Sequence, residues 1–299
     1  MKLNWKGIFL WSNAFYGFCA VMLSVESSLL LLNRYPNPFL LLLIYLGTIV
    51  YYTHAYLVEC KLGEQNERVI WYLEKQKYLK LRQLIYTCIC IYLAVVKLDI
   101  VNVLINANLF VKFILLISIL LSAAYYLPTI HLISFPNSRN KGVLKSMSIA
   151  WVWTFTCCFI PIWLGSNNPN LLFTKNVNLY LLQFFIYLLV LAILFDIKDM
   201  SKDQKEEVYT IAVRLGAYKT VKQIIVPLLL LYYIIVMYWL YAKEFSAYFM
   251  VLQGVLIIVC YQIAHWILKL KAIHANILLV DGLLVLKAII GIAFILMNK

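Results

Sequence analysis

The stretch from Val177 to Asp203 reads VNLYLLQFFIYLLVLAILFDIKDMSKD, and it decides the fold. Residues 177–195 carry no charge, and about 20 such residues form a helix that crosses the hydrocarbon of a bilayer. Three acids follow at once: Asp196, Asp199 and Asp203. The stretch therefore predicts a membrane-spanning helix that runs into an acidic segment.

The rest of the chain has the same apolar character. Of its 299 residues, 64% are hydrophobic and 13% are charged, whereas an average soluble domain is about a quarter charged. A water-soluble globule of this size cannot cover its surface with so few charges. The composition excludes a cytoplasmic domain, a disordered chain and a disulfide-built secreted module, and it predicts a polytopic membrane protein.

Nine segments are long and apolar enough to be predicted as spans. We expect an all-α integral membrane bundle that forms one domain over residues 1–299. The predicted spans lie at about 8–32, 38–58, 78–98, 110–133, 146–165, 177–195, 223–241, 247–268 and 276–297.

The basic residues predict the orientation of these spans. The chain has 26 Lys and Arg against 13 Asp and Glu, a net charge of +13. With the N-terminus in the cytoplasm, nineteen of the basic residues fall on cytoplasmic stretches and five on outer ones, as the positive-inside rule requires. We therefore expect a cytoplasmic N-terminus, an outer C-terminus, residence in the cell membrane, and no nucleic-acid partner.

Two long loops, at about 59–82 and 196–222, open on the same face because four predicted spans separate them. With the N-terminus in the cytoplasm, both loops are expected on the cytoplasmic side. The first contains the stretch from Glu67 to Lys75, which is either an amphipathic helix at the lipid surface or an ordinary solvated connector.

The three aspartates of the second loop lie at positions i, i+3 and i+7. This spacing places them on one face of a helix if the span continues past the membrane surface. Three such carboxylates repel each other unless a cation lies among them, and oxygen ligands of this kind suit Mg²⁺. The alternative is a helix end that exposes its acids to water, and spacing alone leaves both interpretations open.

Thr210, Val213, Leu215 and Gly216 follow the aspartates. The whole pattern resembles the second aspartate-rich motif of the UbiA superfamily of intramembrane prenyltransferases, DxxDxxxDxxxGxxTxxVxxG, with Glu207 in place of its Gly. Further similarities to the family are Ser12-Asn13 in the first span, Gly142-Val143-Leu144-Lys145, Ile149-Ala150, Trp153 and Pro161.

The resemblance implies a helical bundle that binds a polyprenyl diphosphate at its cytoplasmic mouth and transfers the prenyl group to a lipophilic, often aromatic, acceptor. The loops 59–82 and 196–222 would cap this mouth of the active site. Mg²⁺ would be the cofactor, held by Asp196, Asp199 and Asp203. Weaker candidates for binding the diphosphate are Lys198, Lys145, Arg68 and Lys61. Membrane lipid is the other expected partner.

The family's first motif, NDxxDxxxD, is degenerate in this chain. It belongs where the second span meets its loop. If Thr53 takes the Asn position, the three Asp positions hold His54, Leu57 and Lys61, and the nearby Glu59 lacks the required spacing. Half of the expected metal site is therefore missing its aspartates.

Three explanations for this loss are open. The second motif holds one metal while basic residues neutralise the diphosphate directly; or Glu59 and His54 form a divergent half-site; or the protein no longer turns over and serves as a lipid-binding or structural subunit of a membrane complex. A transporter is a further alternative, disfavoured because the sequence shows no internal repeat and only 10 Gly and 7 Pro.

Three charged residues lie inside predicted spans: Glu26, Asp281 and Lys287. A charge in the bilayer interior costs several kcal/mol, so such residues usually face the protein interior and pair. At about 1.5 Å of rise per residue, Glu26 and Lys287 lie about 9 Å apart in depth. We therefore predict that these two side chains compensate each other.

Overall fold

The computed structural model describes residues 6–59, 67–124, 142–166, 168–205, 207–268 and 273–297. Within these ranges the chain is helical and contains no strand, which confirms the all-α fold class. The helices are α1 (Ala14–Leu32), α2 (Pro38–Glu59), α3 (Glu67–Glu74), α4 (Gln76–Tyr92), α5 (Ile100–Asn106), α6 (Leu109–Ala124), α7 (Gly142–Thr154), α8 (Ile160–Gly165), α9 (Lys175–Lys205), α10 (Ile211–Leu215), α11 (Ala217–Thr220), α12 (Val226–Ala242), α13 (Ala247–Ile267) and α14 (Ile273–Met297).

Eight helical stretches of the described residues are long and apolar enough to cross a membrane. They coincide with eight of the predicted spans, so the chain is an integral membrane protein. The remaining prediction, 110–133, overlaps the shorter apolar helix α6, and residues 125–133 lie outside the described ranges. The count of nine spans and the cytoplasmic N-terminus stay predictions.

The membrane-spanning stretch formed by α7 and α8 stays helical although it contains a proline. The stretch from α7 to α8 passes through a wider π-helical turn, Phe155–Phe159, just before Pro161. Proline has no N–H to donate to the carbonyl four residues earlier, which here is that of Cys157. The hydroxyl of Ser27 donates to this carbonyl at 2.7 Å, so the oxygen is satisfied without water, as membrane depth requires.

The helices group into two compact units. The first comprises residues 1–24 and 36–130, in which α2 packs against α3 and α4. Gly17 allows a close approach there, because a Cβ atom at this position would lie 2.8 Å from the ring of Tyr45. The prediction of a single domain over the whole chain stays a prediction.

The second unit comprises residues 25–35 and 131–299 and is organised around α9. This helix packs against α7, α10, α12 and α14. With 31 residues it is about 46 Å long, whereas the hydrocarbon of a bilayer is about 30 Å thick. The helix therefore continues beyond the apolar stretch 177–195 and carries the acidic segment on its last turns, as the sequence predicts.

A buried ion pair joins α1 to α14 inside the second unit. Lys287 Nζ lies 2.7 Å from Glu26 Oε1 and 2.8 Å from Oε2, so the predicted pairing is present. Gly291 makes room for it, because a Cβ atom there would lie 2.6 Å from Glu26 Cγ. Asp281, the third intramembrane charge, is also buried.

Candidate functional site

The last turns of α9 bring two of the three motif aspartates onto one lysine. Asp196 and Asp203 are buried, at 2% and 5% exposure. Lys145 Nζ, on the neighbouring helix α7, lies 3.4 Å from Asp196 Oδ1 and 3.3 Å from Asp203 Oδ1. We call these three residues the carboxylate–lysine cluster. Lys145, a weak diphosphate candidate in the sequence, thus lies directly at the aspartates.

A serine that sequence reasoning missed completes the surroundings of Asp196. The hydroxyl of the fully buried Ser146 donates to Asp196 Oδ2. Its only sequence signal is its position next to Lys145, since adjacent residues near a helix start can both reach one partner helix. The carboxylate of Asp196 is thereby held by a cation on one oxygen and a hydroxyl on the other.

Asp199 is more exposed than the other two aspartates and pairs with a different lysine. Its side chain is 43% exposed, and its Oδ1 lies 3.6 Å from Lys198 Nζ. Within the described part of the chain, no group of three or more His, Cys, Asp or Glu side chains is placed to hold one metal ion. Asp199 and Lys198 therefore form an outer pair beside the cluster.

The side chains of the carboxylate–lysine cluster are suited to a single divalent cation. The two buried carboxylates already share one cationic group, the ammonium of Lys145. Mg²⁺ is usually held by one or two carboxylates together with substrate phosphates and water. Asp196 and Asp203 are accordingly the residues that would hold the ion, with phosphate oxygens as the remaining ligands.

The downstream motif residues form the turn that ends α9. The backbone N–H of Val208 donates to the carbonyl of Asp203 at 2.8 Å, and Thr210 caps α10 by accepting from the N–H of Val213 at 3.3 Å. Gly216 ends α10 with a φ of +80°. These residue types therefore have local structural roles.

Glu207 explains why glycine is usual at its position in the motif. Its φ is +55°, in the left-handed region that costs an ordinary L-residue about 1–2 kcal/mol. Glycine adopts this conformation freely. The one departure from the motif pattern is thus a strained residue in an otherwise retained turn.

The degenerate first motif lies in the first unit and is surrounded by polar side chains. Thr53 is fully buried and its hydroxyl accepts from Asn13 Nδ2 and from Arg82 Nη2, both at 3.1 Å. Asn13 Oδ1 in turn accepts from Arg68 Nη2 at 2.6 Å. We call Asn13, Thr53, Arg68 and Arg82 the arginine cluster.

Tyrosines enclose this cluster. Tyr72 accepts from Asn13 Nδ2 at 2.8 Å, and Arg68 Nη1 donates to Tyr56 Oη at 2.8 Å. Arg68, on α3, is only 8% exposed. Burial by itself would lower the pKa of Arg68, and the oxygens of Tyr56, Tyr16 and Tyr72 outweigh that effect and raise it, so the guanidinium is charged.

The structure describes the side chains of two further residues of the degenerate motif. His54 is exposed and Leu57 is half-buried. Lys61 and the side chain of Glu59 lie outside the described residues. Arg82 is the member of the cluster that the sequence did not point to, because it lies near the start of a predicted span and outside both motifs.

The fold and the site define an integral membrane protein with a carboxylate–lysine cluster at the end of a long spanning helix. No protein-family model and no curated protein matches the sequence. Among solved structures, the chain is similar to one described as digeranylgeranylglyceryl phosphate synthase in membranes. The identity is 16%, the match covers 97% of this chain and 94% of that one, and the TM-score is 0.49.

Proposed function

We propose that the protein is a UbiA-like membrane prenyltransferase that transfers a polyprenyl group from an isoprenoid diphosphate to a lipophilic, possibly aromatic, acceptor. The observation that supports this most is the carboxylate–lysine cluster, in which Asp196 and Asp203 converge on Lys145 Nζ. The resemblance of residues 196–216 to the prenyltransferase motif supplies the substrate class.

The cluster suits the departure of a diphosphate. Bound Mg²⁺ would neutralise the charge that develops on the leaving diphosphate, which is the electrostatic help such a reaction needs. Asp196 and Asp203 would hold the ion and Lys145 would contact a phosphate oxygen directly. Ser146 keeps Asp196 oriented, and Asp199 with Lys198 would contact the more exposed side of the diphosphate.

The reaction also requires surroundings without water, and the apolar part of α9 provides an apolar surface of this kind. A prenyl group that separates from its diphosphate passes through an allylic cation, and water would consume it. Above the aspartates, α9 buries Tyr187, Leu191 and Leu194, which are side chains that exclude water. We propose that the prenyl chain lies along such apolar surface while its diphosphate reaches the acidic end of the helix.

Purified protein in nanodiscs tests the proposal. The protein is supplied with Mg²⁺, labelled prenyl diphosphates of several lengths and a membrane lipid extract as the source of acceptor. We expect diphosphate release and a labelled lipid product from the wild type, and loss of both in Asp196→Asn/Asp203→Asn. Asp99→Asn is the matched control, because Asp99 is an exposed acid of the first unit with a φ of +47° that Asn also adopts.

Two results contradict turnover. If neither protein releases diphosphate and both bind the prenyl diphosphate equally, the cluster has no role in the substrate's chemistry. If binding depends on Mg²⁺ and is lost in the double variant, still without release, the chain is the catalytically degenerate, lipid-binding homologue instead.

A further inference from the structure

We propose that α4 carries a binding site for an anionic phospholipid of the surrounding bilayer. The phosphate of the lipid contacts Lys77 and Lys80 in the first turns of the helix, and an acyl chain lies along an apolar stripe that follows them. We define this stripe as Leu81, Leu84, Cys88, Ile91 and Val95. Both parts belong to the first unit, so the inference does not depend on the proposed prenyl transfer.

The apolar stripe is one exposed face of α4. Its members follow each other at steps of three and four residues, which places them on one side of a helix. Each of the four aliphatic members leaves about half or more of its surface exposed, and Cys88 is exposed as well. The helix packs against α2 through its other side, where Gln83 Nε2 donates to the carbonyl of Val50 at 2.6 Å. The stripe is about 21 Å long, more than the half-thickness of about 15 Å that one acyl chain spans.

Two lysines precede this stripe at the level of the lipid headgroups. The candidate span is Gln76–Lys97, so Lys77 and Lys80 lie in its first two turns, and both are exposed. They are three residues apart, which makes them neighbours on the helix surface and lets both ammonium groups reach one phosphate. Residues 75–98 contain no acid, and the ion pairs of the described residues include neither lysine. The nearest acid in the sequence, Glu74, is described and exposed.

The lysine at the other end of the span has different surroundings. Lys97 Nζ lies 5.4 Å from the ring centroid of Phe39 and 5.9 Å from that of Tyr92, so aromatic faces of the protein stabilise its charge. The described contacts give Lys77 and Lys80 no aromatic or anionic neighbour of this kind. Their ammonium groups are therefore available to a partner from the membrane.

The chemistry of the site selects a phospholipid with a net negative charge. Lysines near the ends of spans extend their ammonium groups to the headgroup region, where each of them favours anionic lipids. Tyr78, which lies between the two lysines in the sequence, is exposed, and tyrosine is common at this level of a bilayer. A cationic end above an apolar stripe matches a lipid whose phosphate has no compensating amine, such as phosphatidylglycerol.

A second copy of the chain is the other partner that the spacing of the stripe allows, because a seam between two helices has the same steps of three and four residues. Helix pairs in membranes pack through small residues, whereas the stripe consists mainly of leucine, isoleucine and valine. A symmetric pairing of two parallel copies would also bring like-charged Lys77 side chains together. The stripe and its lysines therefore favour lipid.

Quenching of a fluorophore at Cys88 tests this inference. The full-length chain with Cys60→Ser and Cys90→Ser is labelled with bimane at Cys88, the exposed thiol of the stripe. It is placed in phosphatidylcholine nanodiscs that contain brominated phosphatidylglycerol or, at equal mole fraction, brominated phosphatidylcholine. A brominated chain quenches the label only when it lies beside it. We expect phosphatidylglycerol to bind about fivefold more tightly than phosphatidylcholine, as one lysine near an anionic headgroup provides.

Variants of the lysines connect the preference to the site. Lys77→Gln/Lys80→Gln should abolish the preference for phosphatidylglycerol, because it removes the charges and keeps the stripe. Lys97→Gln is the matched control, since it removes a lysine at the other end of the same span, and it should keep the full preference. High salt should weaken the preference in the chain that keeps all its lysines, because it screens the charges. This measurement tests the inference even if the double variant does not fold.

Equal quenching by the two lipids in the chain that keeps both lysines overturns the inference, and so does a preference that the double variant or high salt leaves unchanged. An equal loss in Lys97→Gln and in the double variant overturns it too, because the overall charge of the protein would then account for the preference. A dimer cross-linked through Cys88 under mild oxidation, without quenching by either lipid, assigns the stripe to a second copy instead.

Discussion

The arginine cluster and the carboxylate–lysine cluster surround their charged side chains with different kinds of group. In the second unit, the carboxylates of Asp196 and Asp203 meet the ammonium of Lys145. In the first unit, Arg68 donates to Asn13 Oδ1 and to Tyr56 Oη, and Arg82 donates to Thr53 Oγ1. The difference teaches that the acidic end of α9 is built around an ion pair, whereas the place of the degenerate motif is built around hydrogen bonds from guanidinium groups to amide, phenol and hydroxyl oxygens.

Removing Lys287 should have the largest effect on the free energy of unfolding. The substitution tests how much a fully buried ion pair stabilises this protein. Lys287→Met leaves Glu26, which is 1% exposed, without its cation. Breaking such a buried pair costs about 3–5 kcal/mol. We expect a loss of unfolding free energy of that size, measured by denaturant titration in detergent.

The double variant Glu26→Gln/Lys287→Met is the control for this prediction. Replacing both members of a buried pair is often close to neutral, so the double should recover most of the loss. If the losses of unfolding free energy in Glu26→Gln and in Lys287→Met add up to the loss in the double variant, the two side chains are not coupled. That result contradicts the prediction.

Lys145→Met should have the next largest effect on the free energy of unfolding. It tests how far Lys145 neutralises the two carboxylates of the carboxylate–lysine cluster. It leaves two buried carboxylates facing each other, and we expect a loss of about 1–3 kcal/mol in unfolding free energy, reduced because the lysine side chain is 28% exposed. Millimolar Mg²⁺ should then raise the melting temperature of the variant more than that of the wild type, because the ion replaces the missing cation.

Lys198→Met is the matched variant for that experiment. Its partner Asp199 has a side chain that is 43% exposed, so little stability should be lost and Mg²⁺ should act as on the wild type. Equal Mg²⁺ shifts for Lys145→Met and Lys198→Met would show that the ion does not enter between Asp196 and Asp203.

Thr53→Val sharpens the other side of the comparison. The substitution keeps the shape of the side chain and removes the hydroxyl that accepts from both Asn13 and Arg82. We expect a loss of about 1–2 kcal/mol in unfolding free energy, measured by denaturant titration in detergent. Thr48→Val, on the same helix, removes a hydroxyl that bonds only to the carbonyl of Ile44; a similar loss in both variants would mean that the cluster has no special role.

Glu207→Gly should have the smallest effect, and of opposite sign. It restores glycine at a φ of +55°, which should raise the unfolding free energy by about 0.5–1 kcal/mol. Gln204→Gly, in the exposed last turn of α9, should instead lower it by about 1 kcal/mol. A stability loss in Glu207→Gly would mean that the glutamate side chain contributes more than its backbone strain costs.

The sequence by itself determined the helical fold, the location in a membrane and the ion pair between Glu26 and Lys287. Uncharged runs such as 177–195 have to be helical in hydrocarbon, where each backbone group needs an internal partner. Glu26 and Lys287 have to find each other because neither tolerates lipid alone. The period of the helix likewise indicated that Asp196 and Asp203, seven residues apart, lie on one face.

The tertiary structure decided which side chains meet across helices. Lys145 reaches Asp203, Arg82 reaches Thr53, and Asp199 pairs with Lys198. None of these contacts follows from spacing along the chain. The reason is that a helix apolar on all sides, such as the spanning part of α9, carries no signal for its rotation about its own axis, since residues facing lipid and residues facing protein are equally apolar. Packing sets that rotation, and with it the carboxylate–lysine cluster in one unit and the arginine cluster in the other.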